Sequence, residues 1–432
     1  MREALKDLVR YWRLYLLTLV LGIGGSFQLG MQVSIMASPA EHIQRFVNQT
    51  WLGRYEVPVS DSTNMLIWSF IVSVFSLGGW VGAIHSGSLS VTYGRKKALL
   101  FNNIVALVAA VLMVFSPMAK SFEMILLGRF LYGYNAGLGW NIHLMYLGES
   151  SPKKLRGFLT ITITIFNNLG KVMGQIVGIK ELMGTDDMWP WLMALGGLPA
   201  ILQFVTLLFF PEAPRYLYID KGDTEGCKKA LHWLWQEDDV QMEMDEMGKE
   251  RASMQGQNVK TIWDVLTSRC VRWQLLVLVI PCAGVQFCGF NAIYLYAFDI
   301  FREAGVAEDK MHYLSIGIGT TDLITITLTS TLPADIFLQA WRPSAYVISG
   351  SINWLSLFLI GMFFPFIVDG LGQFCFLIFV AYCLFSAAFV LYFLPETKGK
   401  STVEIMEDFN KLNYKNRGTD TEKADFVMAT KF

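Results

Sequence analysis

Two stretches of the chain echo each other: Glu149-Ser-Ser-Pro-Lys-Lys-Leu-Arg156-Gly157 and Asp335-Ile-Phe-Leu-Gln-Ala-Trp-Arg342-Pro343, each with an acid seven residues ahead of an arginine. From Arg156 to Pro211-Glu212-Ala213-Pro214-Arg215 is 55 residues, and from Arg342 to Pro395-Glu396-Thr397-Lys398-Gly399 is 53. Two apolar segments, each long enough to cross a bilayer, fill either interval. The chain therefore reads as a tandem duplication of one helical unit, the plan of carriers whose halves are related by an axis along the membrane normal.

Composition agrees. The 432 residues are 53% hydrophobic and 16% charged, too apolar for a soluble globular protein. A net charge of -1, with no basic stripe outside the loops, excludes nucleic acid as a partner. The six cysteines, Cys227, Cys270, Cys282, Cys288, Cys375 and Cys383, all fall in the second half and define no disulfide framework. Five scattered histidines carry no metal-ligand spacing, and no nucleophile elbow or phosphate loop is present, so no metal, cofactor or enzymatic activity is expected.

The pattern predicts an all-α membrane protein with spans near Leu14–Ala37, Met65–Ile84, Ala98–Pro117, Ile125–Leu147, Phe158–Ile179, Trp189–Phe210, Trp273–Phe298, Tyr313–Leu332, Tyr346–Ile367 and Phe374–Leu394. Residues 1–211 form a six-helix bundle, 212–272 a helical linker, 273–398 a shortened bundle and 399–432 a tail. The stretch ahead of the first span has no cleavage pattern, so that span is expected to be retained. Arg2, Lys6, Arg10, Arg13, Arg95, Lys96, Lys97, Lys153, Lys154 and Arg156 fall on one side of the spans, which the positive-inside rule makes cytoplasmic, with the linker and both termini. Opposite lies the sequon Asn48-Gln49-Thr50, in an expected loop. Glycines at three- and four-residue spacing in the first, fourth and fifth spans imply close helix packing. In the linker, Thr224 to Trp235 and Val240 to Met254 read as amphipathic helices lying on the membrane face.

The two halves differ upstream of the repeat. Trp12 to Glu149 covers 137 residues but Trp273 to Asp335 only 62, a shortfall of 75. Two spans with their loops fit that gap, leaving six spans plus four, with the join near Ser330–Leu332.

Gly94-Arg95-Lys96-Lys97, Gly128-Arg129, Glu149-x6-Arg156-Gly157, Pro211-Glu212-x-Pro214-Arg215, Gln286-x4-Asn291 and Pro395-Glu396-Thr397-Lys398-Gly399 together resemble the sugar porters of the major facilitator superfamily, and more narrowly the class II branch of animal facilitative hexose transporters. The resemblance runs over nearly the whole chain. It implies a two-bundle fold, a plasma-membrane location and a hexose, glucose or fructose, as substrate. It also implies that Arg95, Lys96, Glu149, Arg156, Glu212 and Arg215, with Asp335, Arg342 and Glu396 in the second half, form ion pairs that join the halves when the outside is open. Three departures stand out. Val91 replaces an acidic or amide residue ahead of Gly-Arg, Gln286-Phe287-Cys288 replaces Gln-Leu-Ser, and the spans normally ninth and tenth, with their tryptophan and proline-glycine segment, are missing.

A sugar is an uncharged polyol, so its site needs amides and hydroxyls as paired donors and acceptors. Asn168 and Gln175 are seven residues apart on one face of the fifth span. By resemblance Asn168 takes the place of a sugar-binding Gln, Gln286 and Asn291 match seventh-span ligands, and Asn353 beside Trp354 matches one in the eleventh span of the full pattern. Each amide alternatively bonds a neighbouring helix. Lys171, on the Asn168 face, needs an anionic partner, for which Asp322 in the opposite half is a candidate, or else binds an organic-anion substrate. Gln32 stands where proton-linked relatives place Asp, which implies uniport. The rival reading is a shortened isoform that does not transport and serves as an interaction partner, self-association included.

Overall fold

The computed structural model describes residues 10–236, 240–254, 262–268, 271–329, 342–394 and Phe409. Its first half comprises α1 (Trp12–Ser34), a shorter α2 (Ala40–Tyr55), α3 (Asp61–Tyr93), α4 (Arg95–Phe115), α5 (Phe122–Ser150), α6 (Lys153–Val177) and α7 (Trp189–Leu207). The linker holds α8 (Thr224–Trp235), α9 (Gln241–Met254) and α10 (Ile262–Thr267). The second half holds α11 (Arg272–Phe287), short α12 (Phe290–Leu295) and α13 (Ala297–Glu303), then α14 (Glu308–Thr329), α15 (Arg342–Leu371) and α16 (Cys375–Phe393).

Ten expected spans meet a stricter standard here: among the described residues seven helices are long and apolar enough to cross a membrane. α5, α6 and α14 are long enough, with 29, 25 and 22 residues, yet carry Arg129, Asn135, His143, Asn168, Lys171 and Asp322. Those residues lower the hydropathy of all three helices, and each is itself turned into the protein. The sequon also needs correction, because Asn48 lies exposed on helix α2 rather than in a loop, while Thr50 is buried.

α3 and α5 pack along most of their length. The approach needs glycine, since an added Cβ at Gly133 or Gly137 would overlap the carbonyl oxygens of Phe75 and Gly79. The halves meet where α14 lies against α6 and α15 against α3. Within the second half, α11 packs on α15 and α16. The helix break between α11 and α12 turns on Gly289, whose φ of 81° suits glycine.

The linker helices are docked on protein, not laid on a membrane face. Cys227, Leu231, Leu234 and Trp235 of α8 share a buried cluster with Leu14 and Leu17 of α1 and Tyr146 and Leu147 of α5. Trp235 Nε1 donates to the Ser150 carbonyl at 2.9 Å, and Arg13 Nη1 to that of Trp233 at 3.2 Å.

Gly133→Leu or Gly137→Leu should cost about 3 kcal/mol or more, because backbone rather than a movable side chain blocks the space. Gly53→Ala and Gly87→Ala, which meet nothing within 4 Å, should be tolerated. The yield of monodisperse detergent-solubilised protein reads both. Burial, then Asp223 and Glu243, pushes the Cys227 thiol up to about 11, so it should resist N-ethylmaleimide at pH 8 until the chain unfolds. Prompt labelling would mean that α8 is not docked.

Candidate functional site

Three of the five expected sugar-binding amides come together. Gln286, buried near the end of α11, donates from Nε2 to Asn353 Oδ1 on α15 at 2.7 Å and accepts at Oε1 from Asn291 Nδ2 on α12 at 2.5 Å. The helix break makes this possible, because Asn291 follows Gly289 and can turn back onto Gln286. Trp354, next to Asn353, crosses to the first half and meets Phe75 edge-on, centroids 6.0 Å apart.

Asn168 and Gln175 stand outside that set. Asn168 Nδ2 donates to the Thr164 carbonyl of its own helix at 3.2 Å, while Gln175 Nε2 donates to Ser315 Oγ on α14 at 3.0 Å. Both are buried, and their amide oxygens lack partners among the described residues. Lys171 does meet the residue expected for it, with Nζ 3.3 Å from Asp322 Oδ2. The hydroxyl of Tyr294, which sequence reasoning did not single out, donates to the same oxygen at 3.3 Å.

The charged residues gather at the other end of the first half. Arg95 lies with Nη2 2.7 Å from Glu149 Oε1 and Nη1 2.8 Å from Asp220 Oδ2, its guanidinium 4.8 Å from the Tyr216 ring centroid. Glu212 caps α4: its Oε1 accepts from the backbone N–H groups of Arg95 and Lys96, both at 2.9 Å, where a carboxylate also complements the helix dipole. Gly94, with φ of 94°, lets the carboxylate approach, since a Cβ there would overlap it. Lys96 Nζ donates to the carbonyls of Leu208 and Phe210 at 2.9 and 2.8 Å, closing the end of α7. Arg215 Nη2 lies 3.4 Å from Glu243 on α9.

These described partners join first-half helices to one another and to the linker. Arg156 donates to the Ser151 carbonyl at 3.4 Å. Of the second-half set, Arg342 opens α15, and Asp335 and Glu396 lie outside the described residues. Asp220 and Glu243 were missed; Asp220, at the end of the π-helical turn Tyr216–Asp220, returns to Arg95 across 125 positions of sequence.

Comparison with solved structures defines the class. The E. coli xylose transporter XylE in an inward-open conformation superposes with a TM-score of 0.71 at 18% identity, covering 91% of this chain and 99% of that one. The proton:xylose symporter XylE bound to 6-bromo-6-deoxy-D-glucose gives 0.72, also at 18%, over 92% and 99%. The chain thus has the all-helical major facilitator fold. At the level of sequence, the family described as "Sugar (and other) transporter" matches residues 17–331 and 324–409. Human solute carrier family 2, facilitated glucose transporter member 11, is 39% identical over 479 aligned positions, covering 96% of each chain. Mouse member 5 is 36% identical over 463 positions, covering 93% of this chain and 92% of that one. The protein belongs to the sugar transporter family of the major facilitator superfamily: it is a multi-pass membrane protein and not an enzyme.

Arg95→Met would leave Glu149, with a side chain 17% exposed, facing Asp220 without its cation. We expect a loss of about 3 kcal/mol, read as a lowered melting temperature in detergent. Glu212→Gln, which keeps an acceptor for the α4 amides, should cost about 1 kcal/mol.

Proposed function

We propose that the chain carries a hexose, glucose or fructose, across the plasma membrane by alternating access between its two halves. The observation that carries this reading is the interlocked set Gln286, Asn291 and Asn353, amides from three helices joined through Gln286. Amides paired in that way can exchange their mutual bonds for hydroxyls at little net cost, whereas an isolated buried amide could not wait unbonded for substrate. Asn168 and Gln175, each anchored through its amide nitrogen, present their oxygens as further acceptors from the first half.

Uniport follows from Gln32. Buried with Arg129, whose Nη1 donates to the Gln32 carbonyl at 3.1 Å, it offers an amide that cannot titrate. The organic-anion alternative loses support, since the Lys171 ammonium already has the Asp322 carboxylate beside it. In this reading both termini and the Arg95 end face the cytoplasm, and the exposed Asn48 on the opposite side accepts a glycan.

A second reading, a shortened chain that does not transport and instead partners other copies, draws on a separate observation. The alignment to human member 11 spans 479 positions, more than the 432 residues of this chain, and the family match is split with its ends at 331 and 324. This supports two lost spans close to Ser330–Leu332. α16 fits as well: of its described residues only Cys375 and Phe379 are buried, whereas about half of α7, the helix at its place in the first half, is.

Purified chain in liposomes should exchange labelled glucose or fructose, with no proton flux following an external pH step. Gln286→Leu and Asn353→Leu should each lower exchange about tenfold or more. Absent exchange by the native chain, recovered once the two helices are grafted in, would establish the second reading.

A further inference from the structure

Asp322 on α14 is the meeting point of three helices. Lys171 reaches it from α6 of the first half, and Tyr294 reaches the same oxygen from α12, the short helix after the break. The ammonium also faces two rings, 4.6 Å from the Tyr294 centroid and 5.1 Å from Phe290. The Lys171 and Asp322 side chains are only 10% and 8% exposed.

Position gives the cluster its meaning. Lys171 is fifteen residues beyond Arg156, about 22 Å along α6, and so lies towards the end opposite Arg95. At that far end the halves also touch through the buried cluster of Ala37, Ala297, Phe301 and Met311, the Gln175–Ser315 bond, and an exposed pair between Arg302 and Glu41. Arg95, Glu149 and Glu212, by contrast, find their described partners within the first half and linker.

We infer that Lys171, Asp322 and Tyr294 form an ionic gate that holds the halves together at the far end and parts when the cavity opens there. The inference rests on the alternating-access reading above. A buried pair inside one half would be scaffold only, but this one bridges the two bodies that must separate. When the far end opens, water enters and can hydrate both charges; when it closes, water leaves and the pair must re-form or two bare charges stay buried. Closure is therefore tied to expulsion of water. The Arg302–Glu41 pair, exposed to solvent, contributes less to that coupling.

The test uses Ala297→Cys, whose position in the far-end cluster is buried while the gate is shut. In detergent, labelling of this cysteine by a maleimide, read on its own peptide by mass spectrometry, reports how often the far end opens. With the neutral pair Lys171→Met/Asp322→Asn, labelling should be about five-fold faster or more, and the swapped pair Lys171→Asp/Asp322→Lys should return it towards the native rate. Lys171→Met alone, which leaves Asp322 buried without a cation, should fold worst; if it fails altogether, the two double variants carry the test. An unchanged rate in the neutral pair would overturn the gate, leaving the ion pair a static support. Hexose exchange is measured in parallel: its absence from native and variant chains alike counts against the carrier reading, while labelling still decides the gate.

Discussion

Water is absent from the interior of a bilayer, so each amide, ammonium or guanidinium that the chain carries into it must find its partner within the protein. Much of the bundle can be understood as an answer to that constraint. Asn102 and Asn135 each donate from Nδ2 to the backbone carbonyl of the other, at 2.9 and 3.0 Å, fastening α4 to α5. Ser26 and His143 meet at 2.9 Å between α1 and α5. Arg129, fully buried, has no carboxylate in ion-pair range among the described residues and rests on the Gln32 carbonyl and the face of Phe75, 4.6 Å away. The helices that look too polar to cross a membrane turn their charged and amide residues towards neighbouring helices. Their polar residues hold neighbours in register, while glycines bring the backbones close enough for such short side chains to reach.

The two ends of the molecule use charge differently. At the Arg95 end, the Glu212 carboxylate closes the start of α4, Lys96 closes the end of α7, and Arg95 gathers Glu149 and Asp220. Helix ends leave backbone groups unsatisfied, and here side chains from adjoining connections fill them. The effect is to make the first half and the docked linker helices one body. At the far end, the described bonds run between the halves instead, through Lys171 and Asp322 and through Gln175 and Ser315. The described side-chain bonds thus brace one half at one end and join the two halves at the other.

Much of this was legible in the sequence, and the reasons differ from residue to residue. Apolar length placed most of the membrane helices, and alternating charged and apolar residues placed α8, where the expected Thr224–Trp235 is the helix found. The Lys171–Asp322 pair could be anticipated because an isolated ammonium in an apolar span forces a search for an anion, and Asp322 was at hand in the other half. Partners supplied by irregular backbone could not be anticipated. Asp220 reaches Arg95 only because a π-turn follows Pro214, and Tyr294 reaches Asp322 only because the helix breaks at Gly289. The docking of α8 was misread for a related reason: an apolar stripe says that a surface must be covered and leaves open whether lipid or protein covers it. Helix α2 shows the opposite limit, since its low apolar content reads as a loop although a buried face of Ile43 and Val47 holds it as a helix.

Two spans lost from the second half, as proposed above, would bear unequally on recognition and shielding. The amide set draws on α11, α12 and α15, and the far-end ion pair on α6, α12 and α14, all present in this chain. The two spans proposed to be lost would add wall around these groups. α14 illustrates the consequence, since its principal neighbour is α6 of the opposite half, which leaves the hydroxyl-bearing Thr320 and Thr321 exposed and bonded to their own helix. Threonines satisfied in this way can face lipid at modest cost. On the proposal of two lost spans, the bundle can persist with a thinner second half, since the amides Gln286, Asn291 and Asn353 stay assembled without them.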